Sequence, residues 1–146
     1  MVTMKPNQGR LQTAEHILTR TVETKFTNTK FMISTFKEDS GKIEVSSKTD
    51  LRKIDLAKLQ NEINTIIQKN LKVKKYIIQR KKAEIKFDLT RLPLSVKEIR
   101  IIEIEGFDKT PCKDPHVENT GQIGYFEILK VRKTGSNSYR FDFKVN

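Results

Sequence analysis

The chain holds one cysteine and two histidines, so its thiol and imidazole chemistry is confined to three positions. Cys112-Lys113-Asp114-Pro115-His116 sets a thiol and an imidazole four positions apart in a stretch that reads as a loop between strands. That spacing lets both side chains reach one ion, and a thiolate with an imidazole is a donor pair suited to zinc. His16 lies far away, on a segment of helical periodicity. One turn earlier on the same face stands Gln12, where a second histidine would complete a ligand pair. Both sit well off the apolar stripe Leu11, Leu18, Val22 and Phe26, so His16 is expected to face solvent or a cleft made by another part of the chain. On residue types alone two readings stay open: a metal site, or an incidental surface histidine and an inert loop cysteine.

Other chemistries find less support. No GxGxxG or P-loop pattern is present. A nucleophilic pair of Cys112 with either histidine is conceivable, but no triad signature surrounds it. No carboxylate pair stands out among the 18 acids.

The elements that must position these residues follow from periodicity. Leu11, Ala14, Leu18, Val22 and Phe26 predict a helix after Pro6-Asn7-Gln8-Gly9. Residues 30–36 read as a strand, Glu38-Asp39-Ser40-Gly41 as a turn, and residues 42–47 as its hairpin partner. Asp55 is a suitable N-cap for a second helix at 56–69, with Leu56, Leu59, Ile63, Ile66 and Ile67 on one face. A strand at 73–79, a short helix at 81–87 and a strand at 99–105 follow. Residues 106–122 look like loop, with Gly106, Pro111, Pro115 and Gly121. Segments 123–131 and 138–145 form a last antiparallel pair around Thr134-Gly135-Ser136-Asn137. Two main helices with about six mostly hairpin-joined strands predict an α+β fold, an antiparallel sheet with the helices packed on it. At 146 residues a single domain, 1–146, with one core is expected. A lone cysteine makes no internal disulfide. The longest stretch free of Asp, Glu, Lys and Arg is eight residues, Asn119 to Phe126, well short of the ~20 that a membrane span needs. Met1 to Pro6 has no apolar core of the signal-peptide kind, so a cytoplasmic protein is the expectation.

Charge points to a partner. Lys and Arg number 29 against 18 Asp and Glu, a net charge of +11, which favours polyanions, nucleic acid first and an anionic membrane surface second. The excess is concentrated. Lys72, Lys74, Lys75, Arg80, Lys81, Lys82 and Lys86 face only Glu84, and Lys130, Arg132, Lys133, Arg140 and Lys144 lie near the C-terminus. Charge of this kind attracts phosphates without reading sequence.

Two segments together resemble a known family. Leu11-Gln12-Thr13-Ala14-Glu15-His16-Ile17-Leu18 is similar to the HxxxH helix of the AlaX-type alanyl-tRNA editing proteins. Cys112 to Gly124 resembles their CxxxH block followed by a T-G-x-I-G turn, and the order of elements matches over nearly the whole chain. The same module is the second additional domain of threonyl- and alanyl-tRNA synthetases. The resemblance implies a trans-editing hydrolase that cleaves the ester of a mischarged aminoacyl-tRNA, serine or glycine on an alanine tRNA. It implies zinc held by His16, Cys112 and His116, with Gln12 in the place of the other histidine, where its amide coordinates the ion or orients a water. Met32 falls where the family often has a polar residue facing the substrate, and a thioether is a poor partner for a serine hydroxyl. Thr120, Gly121 and Gly124 would bring backbone close to the terminal adenosine or the ester, with N–H groups of residues 120–124 placed to hold an oxyanion. No side-chain general base is assigned. Lys72, Lys74, Lys75, Arg80, Lys81 and Lys82 would hold the tRNA acceptor arm through phosphates, so binding should weaken with salt. Phe107 or Tyr125 would stack on a base, or pack in the core. The alternatives are a weak or inactive tRNA-binding relative with a degenerate metal site, and a structural-zinc or metal-free interaction domain.

Overall fold

The apolar stripe of the first segment closes into a helix, α1 (Gln8–Lys25), in the computed structural model, which describes residues 7–146; the reading of residues 1–6 lies outside them. The hairpin follows as β1 (Lys30–Phe36) and β2 (Ser40–Ser46), then a short 3-10 turn and the second helix, α2 (Leu56–Gln68). Asp55 caps α2 by accepting the Lys58 N–H at 3.0 Å. Next come β3 (Val73–Gln79), a short α3 (Arg80–Lys86), β4 (Glu98–Ile104), β5 (Asp108–Pro111), a 3-10 turn at Thr120–Ile123, β6 (Phe126–Gly135) and β7 (Ser138–Val145). The architecture is α+β and antiparallel, as expected. The strands divide into two sheets, ordered β1-β2-β7-β6 and β3-β4-β5.

The main core lies between the four-stranded sheet and the two long helices. Ile43, Val45, Phe126, Phe141 and Phe143 from the sheet meet Leu11, Ile17, Leu18, Leu59 and Ile63 from the helices. The isoleucine-rich strand β4 serves two masters by the two-residue alternation of a strand. Ile102 and Ile104 belong to the main core, while Ile99 and Ile101 pack with Ala83 of α3 and Leu89 in a second, smaller cluster. Among the described residues no helix is long and apolar enough to cross a membrane.

Two departures from expectation bear on the site. Residues 106–122 are not all loop: Asp108–Pro111 pairs with β4, Ile104 opposite Asp108 and Ile101 opposite Pro111. Asp, Lys and Pro carry little strand propensity, so β5 is a strand because β4 offers it an edge. The other concerns α1. Every residue from Leu11 to Leu18 is buried, because the chain after β5 covers the flank that an amphipathic surface helix would leave to water.

α2 also completes the sheet edge at β6. The Asn64 side chain donates to Phe126 O (2.8 Å) and accepts from Phe126 N–H (2.9 Å), as a neighbouring strand would. The Gln60 carbonyl Oε1 takes the Ile128 N–H at 2.9 Å. Asn64→Leu keeps the branching of the side chain and strands both Phe126 groups, so a stability loss of about 2–3 kcal/mol is expected in urea unfolding. A loss under about 0.5 kcal/mol would show that these bonds add nothing net.

A candidate metal centre

The β4–β5 hairpin delivers the 112–116 loop to the flank of α1. Cys112 N–H donates to Arg100 O at 3.0 Å, which extends the ladder one residue past β5. The Arg100 guanidinium then reaches under the loop to Asp114 O (3.0 Å) and Cys112 O (3.5 Å). From β3, Lys75 Nζ donates to His116 O at 3.1 Å. The far side of the loop rests on the first turns of α1. A methyl group at Gly9 would stand 3.3 Å from the His116 carbonyl carbon, so glycine permits this approach. Thr13 Oγ1 lies 3.0 Å from His116 Nδ1 and accepts the Val117 N–H at 3.2 Å.

This packing brings His16, Cys112 and His116 together, with one donor atom of each within 4.8 Å of the others. His116 Nε2 is 3.4 Å from Cys112 Sγ, and the two imidazoles meet edge to face with centroids 4.6 Å apart. His16 therefore faces a cleft, not solvent. Its Nδ1 is buried without a hydrogen-bond partner among the described residues, which is costly unless some ligand takes the lone pair or proton. Burial lowers His16 to a pKa of about 4. Burial also lowers His116, to about 2, helped by the nearby His16, Arg100 and Lys75. Both rings are thus neutral and ready to donate lone pairs at pH 7. Burial pushes the Cys112 thiol up to about 11, with Asp114 and Glu15 opposing the thiolate further. Two neutral imidazoles and a thiol that needs a cation to ionise suit zinc. Gln12, one turn before His16 on α1, is buried as well.

Sequence reasoning missed Glu15. Its carboxylate lies 3.9 Å from His16 Nε2 and is 7% exposed. Burial raises its pKa to about 8, opposed by the Ser34 side chain and reinforced by Asp108, Glu23 and Asp114. The one available signal was its place beside His16 on a helix whose flank the loop covers.

Other expected site residues are placed differently. Thr120 is fully buried, and its hydroxyl is committed to Ile67 O (3.0 Å) and Leu71 N–H (2.8 Å), so it locks the C-terminal end of α2. The expected oxyanion donors are likewise committed. Thr120 N–H goes to Leu71 O, Gly121 N–H to Asn70 Oδ1, Gln122 N–H to Asn119 O and Gly124 N–H to Gly121 O. Gly124 has φ +81°, and a Cβ there would fall 2.4 Å from Asn146 O, so its glycine serves the close packing of the chain's last residue. Met32, 38% exposed, falls at the β-bulge of β1, where its freed carbonyl accepts from Arg91 at 2.7 Å.

Among the expected phosphate contacts, Arg80 is a correction. It is buried, and its guanidinium is spent on Pro93 O, Val96 O, Leu89 O, Leu92 O and Glu84. Lys75 is partly committed to the loop, and Lys74 pairs with Glu105 at 3.4 Å. Lys72, Lys81 and Lys82 are exposed. Phe107 packs against the main core, whereas Tyr125 is 48% exposed with its hydroxyl accepting from Gln60.

Residues 99–142, from β4 into β7, match the family described as the threonyl and alanyl tRNA synthetase second additional domain. An alanyl-tRNA editing protein AlaX-L of Pyrococcus horikoshii is 31% identical over 135 residues, 92% of this chain and 33% of that protein. An AlaX-M of Methanosarcina acetivorans is 29% identical over 93% of this chain and 57% of its own length. An alanine–tRNA ligase of Aeropyrum pernix is 27% identical over 73% of this chain and 12% of its length. The chain thus spans from about an eighth to somewhat over half of the relatives it resembles. The Cys112–His116 loop lies inside a region similar to the second additional domain of threonyl- and alanyl-tRNA synthetases, and most of the chain is similar to part of AlaX-type alanyl-tRNA editing proteins.

Proposed function

We propose that the chain, acting as one domain, is a trans-editing hydrolase that releases a wrongly attached amino acid, serine or glycine, from a tRNA for alanine. The observation that carries this reading is the meeting of His16 with Cys112 and His116, from segments about two thirds of the chain apart, in a chain similar to editing proteins. His16, Cys112 and His116 would hold zinc, which when bound acts as a Lewis acid on a carbonyl or lowers the pKa of a water. Three protein ligands leave an open position, as a hydrolytic centre requires. Gln12, buried on the same face of α1 as His16, would add its amide oxygen as a donor or orient a water. Two carboxylates stand beside the donor set, Glu15 at 3.9 Å from His16 Nε2 and Asp114 at 3.7 Å from Cys112 Sγ, and either is placed to accept a hydrogen bond from a water there. The hydrogen bonds within the 120–124 turn favour a structural role for it over holding an oxyanion. The exposed Lys72, Lys81 and Lys82 would meet phosphates of the acceptor arm, and Met32 on β1 would border the amino-acid side chain.

The test is twofold: zinc content of the purified protein after loading, and release of serine or glycine from the corresponding mischarged alanine tRNA. About one equivalent of zinc and deacylation that a chelator abolishes are expected. Less than a tenth of an equivalent overturns the metal centre. Zinc uptake without hydrolysis of either ester instead favours a tRNA-binding relative whose chemistry is lost, in keeping with the glutamine at position 12.

Proton release gives an independent check. At pH 9 both histidines are already neutral and Glu15 is ionised, so of the protein's own groups only Cys112 has a proton to give up on zinc binding, beside any that a water in the site loses. At pH 7 Glu15 also holds a proton that the cation's field drives off, so the protein's own share should rise toward two. Titration calorimetry in buffers of different ionisation enthalpy reads this number, and no proton release at pH 9 would exclude Cys112 as a ligand.

A further inference from the structure

The contact between Thr13 and His116 carries more than packing. Thr13 is fully buried on α1, and three groups surround its hydroxyl: Gly9 O at 3.0 Å, Val117 N–H at 3.2 Å and His116 Nδ1 at 3.0 Å. A hydroxyl has one proton and two lone pairs. Val117 N–H can only donate and Gly9 O can only accept. Two other helical threonines send their proton to the carbonyl four residues back, Thr21 to Ile17 O (2.7 Å) and Thr65 to Asn61 O (2.9 Å), a common habit of threonine in helices. Thr13 in the same arrangement spends its proton on Gly9 O. Both lone pairs then point at the loop, one toward Val117 N–H and the other toward His116 Nδ1. That second lone pair is satisfied only when Nδ1 carries the imidazole proton, which leaves Nε2 bare and turned toward Cys112 Sγ, 3.4 Å away.

We infer that Thr13 is a positioning residue: its hydroxyl fixes the tautomer and orientation of His116 so that the Nε2 lone pair enters the metal centre. This rests on the metal reading above and adds to it the residue that prepares one ligand. With the opposite tautomer an N–H would project among the donors and block ligation through Nε2. A histidine's non-ligating nitrogen sets which nitrogen binds metal, and loss of its partner typically costs about 10–100-fold in affinity.

The test joins imidazole nitrogen NMR of the metal-free protein near pH 7 with zinc affinity by chelator competition, on wild type, Thr13→Val and Thr13→Ser. Wild type and Thr13→Ser should show His116 protonated at Nδ1 and bind zinc within a few-fold of each other. Thr13→Val, which keeps the shape and loses the hydroxyl, should shift the proton toward Nε2 and bind zinc about 10–100-fold more weakly. Nε2-protonated His116 in metal-free wild type overturns the inference even if Thr13→Val does not fold. So does a folded Thr13→Val with wild-type zinc affinity. Wild type with Nδ1 protonated but no zinc uptake supports the tautomer and sinks the metal reading, so the two failures are distinct.

Discussion

Cys112→Ser should abolish deacylation at limiting zinc while leaving the fold intact. Serine matches the shape of cysteine, and Cys112 is only partly buried at the edge of the core, so unfolding should move by no more than about 1 kcal/mol. The metal is another matter. Zinc binding by four protein ligands is worth about 10–16 kcal/mol, which apportions ~3 kcal/mol or more to each and over a hundredfold in affinity. A hydroxyl replaces the one anionic donor among His16, Cys112 and His116 with a neutral one, so the loss should meet or exceed that figure. Chelator competition measures it, and circular dichroism confirms that the variant is folded. Excess zinc should restore part of the rate, since the two imidazoles remain. Wild-type affinity and rate in Cys112→Ser would remove the thiol from the centre altogether.

The second large effect is on stability and falls on Arg80. Arg80→Met keeps the apolar stem and removes the guanidinium that gathers the carbonyls of Leu89, Leu92, Pro93 and Val96. These groups lie where water reaches them poorly, and charged hydrogen bonds are the stronger kind, so a loss of about 3 kcal/mol is expected. Amides of residues 88–97 should exchange faster with solvent, and the Arg91 contact to the Met32 carbonyl, which ties this loop to β1, should loosen with them. The double variant Lys81→Ala/Lys82→Ala changes charge on the exposed side of α3. It should weaken tRNA binding and reduce its salt dependence while leaving the unfolding midpoint unchanged. If Arg80→Met costs no stability and weakens tRNA binding as the lysine pair does, Arg80 contacts phosphate after all.

These two arginine and lysine fates show what a sequence carries and what it does not. Periodicity was enough for α1, α2, the β1–β2 hairpin and the β6–β7 pair, because each displays its buried face at a fixed interval. β5 has no such face, and Asp108 to Pro111 became strand through β4 alone. The site divides the same way. The Cys112–His116 spacing and the off-stripe place of His16 were readable, and they do converge. The spacing could not show that Arg80 turns inward, that Thr120 locks a helix end, or that Thr13 and Glu15 stand beside the donors. Those facts depend on which distant segment packs where, and a list of charges or hydroxyls holds no partners. The T-G-x-I-G turn is the clearest example: its glycines allow a close approach to Asn70 and Asn146, neighbours that the motif itself does not name.

His16 and Cys112 stand 96 positions apart, and the hairpin that leads to the latter follows α1, the first hairpin, α2, β3 and α3 in the chain. At about 5–20 residues per second of synthesis, the helix waits roughly 5 to 20 seconds for its counterpart. During that interval the growing chain can build α1, the first hairpin and α2, yet it has no donor set. Contacts of such long sequence separation are also late and slow to form in refolding. An ion that bridged them would close a loop of nearly a hundred residues, restraining the unfolded chain much as a long-range crosslink does. The proposed centre therefore comes together only once β4, β5 and the loop after them exist: a nascent or half-folded chain would carry the exposed Lys72, Lys81 and Lys82 before it carries the donor set that the proposed hydrolysis needs.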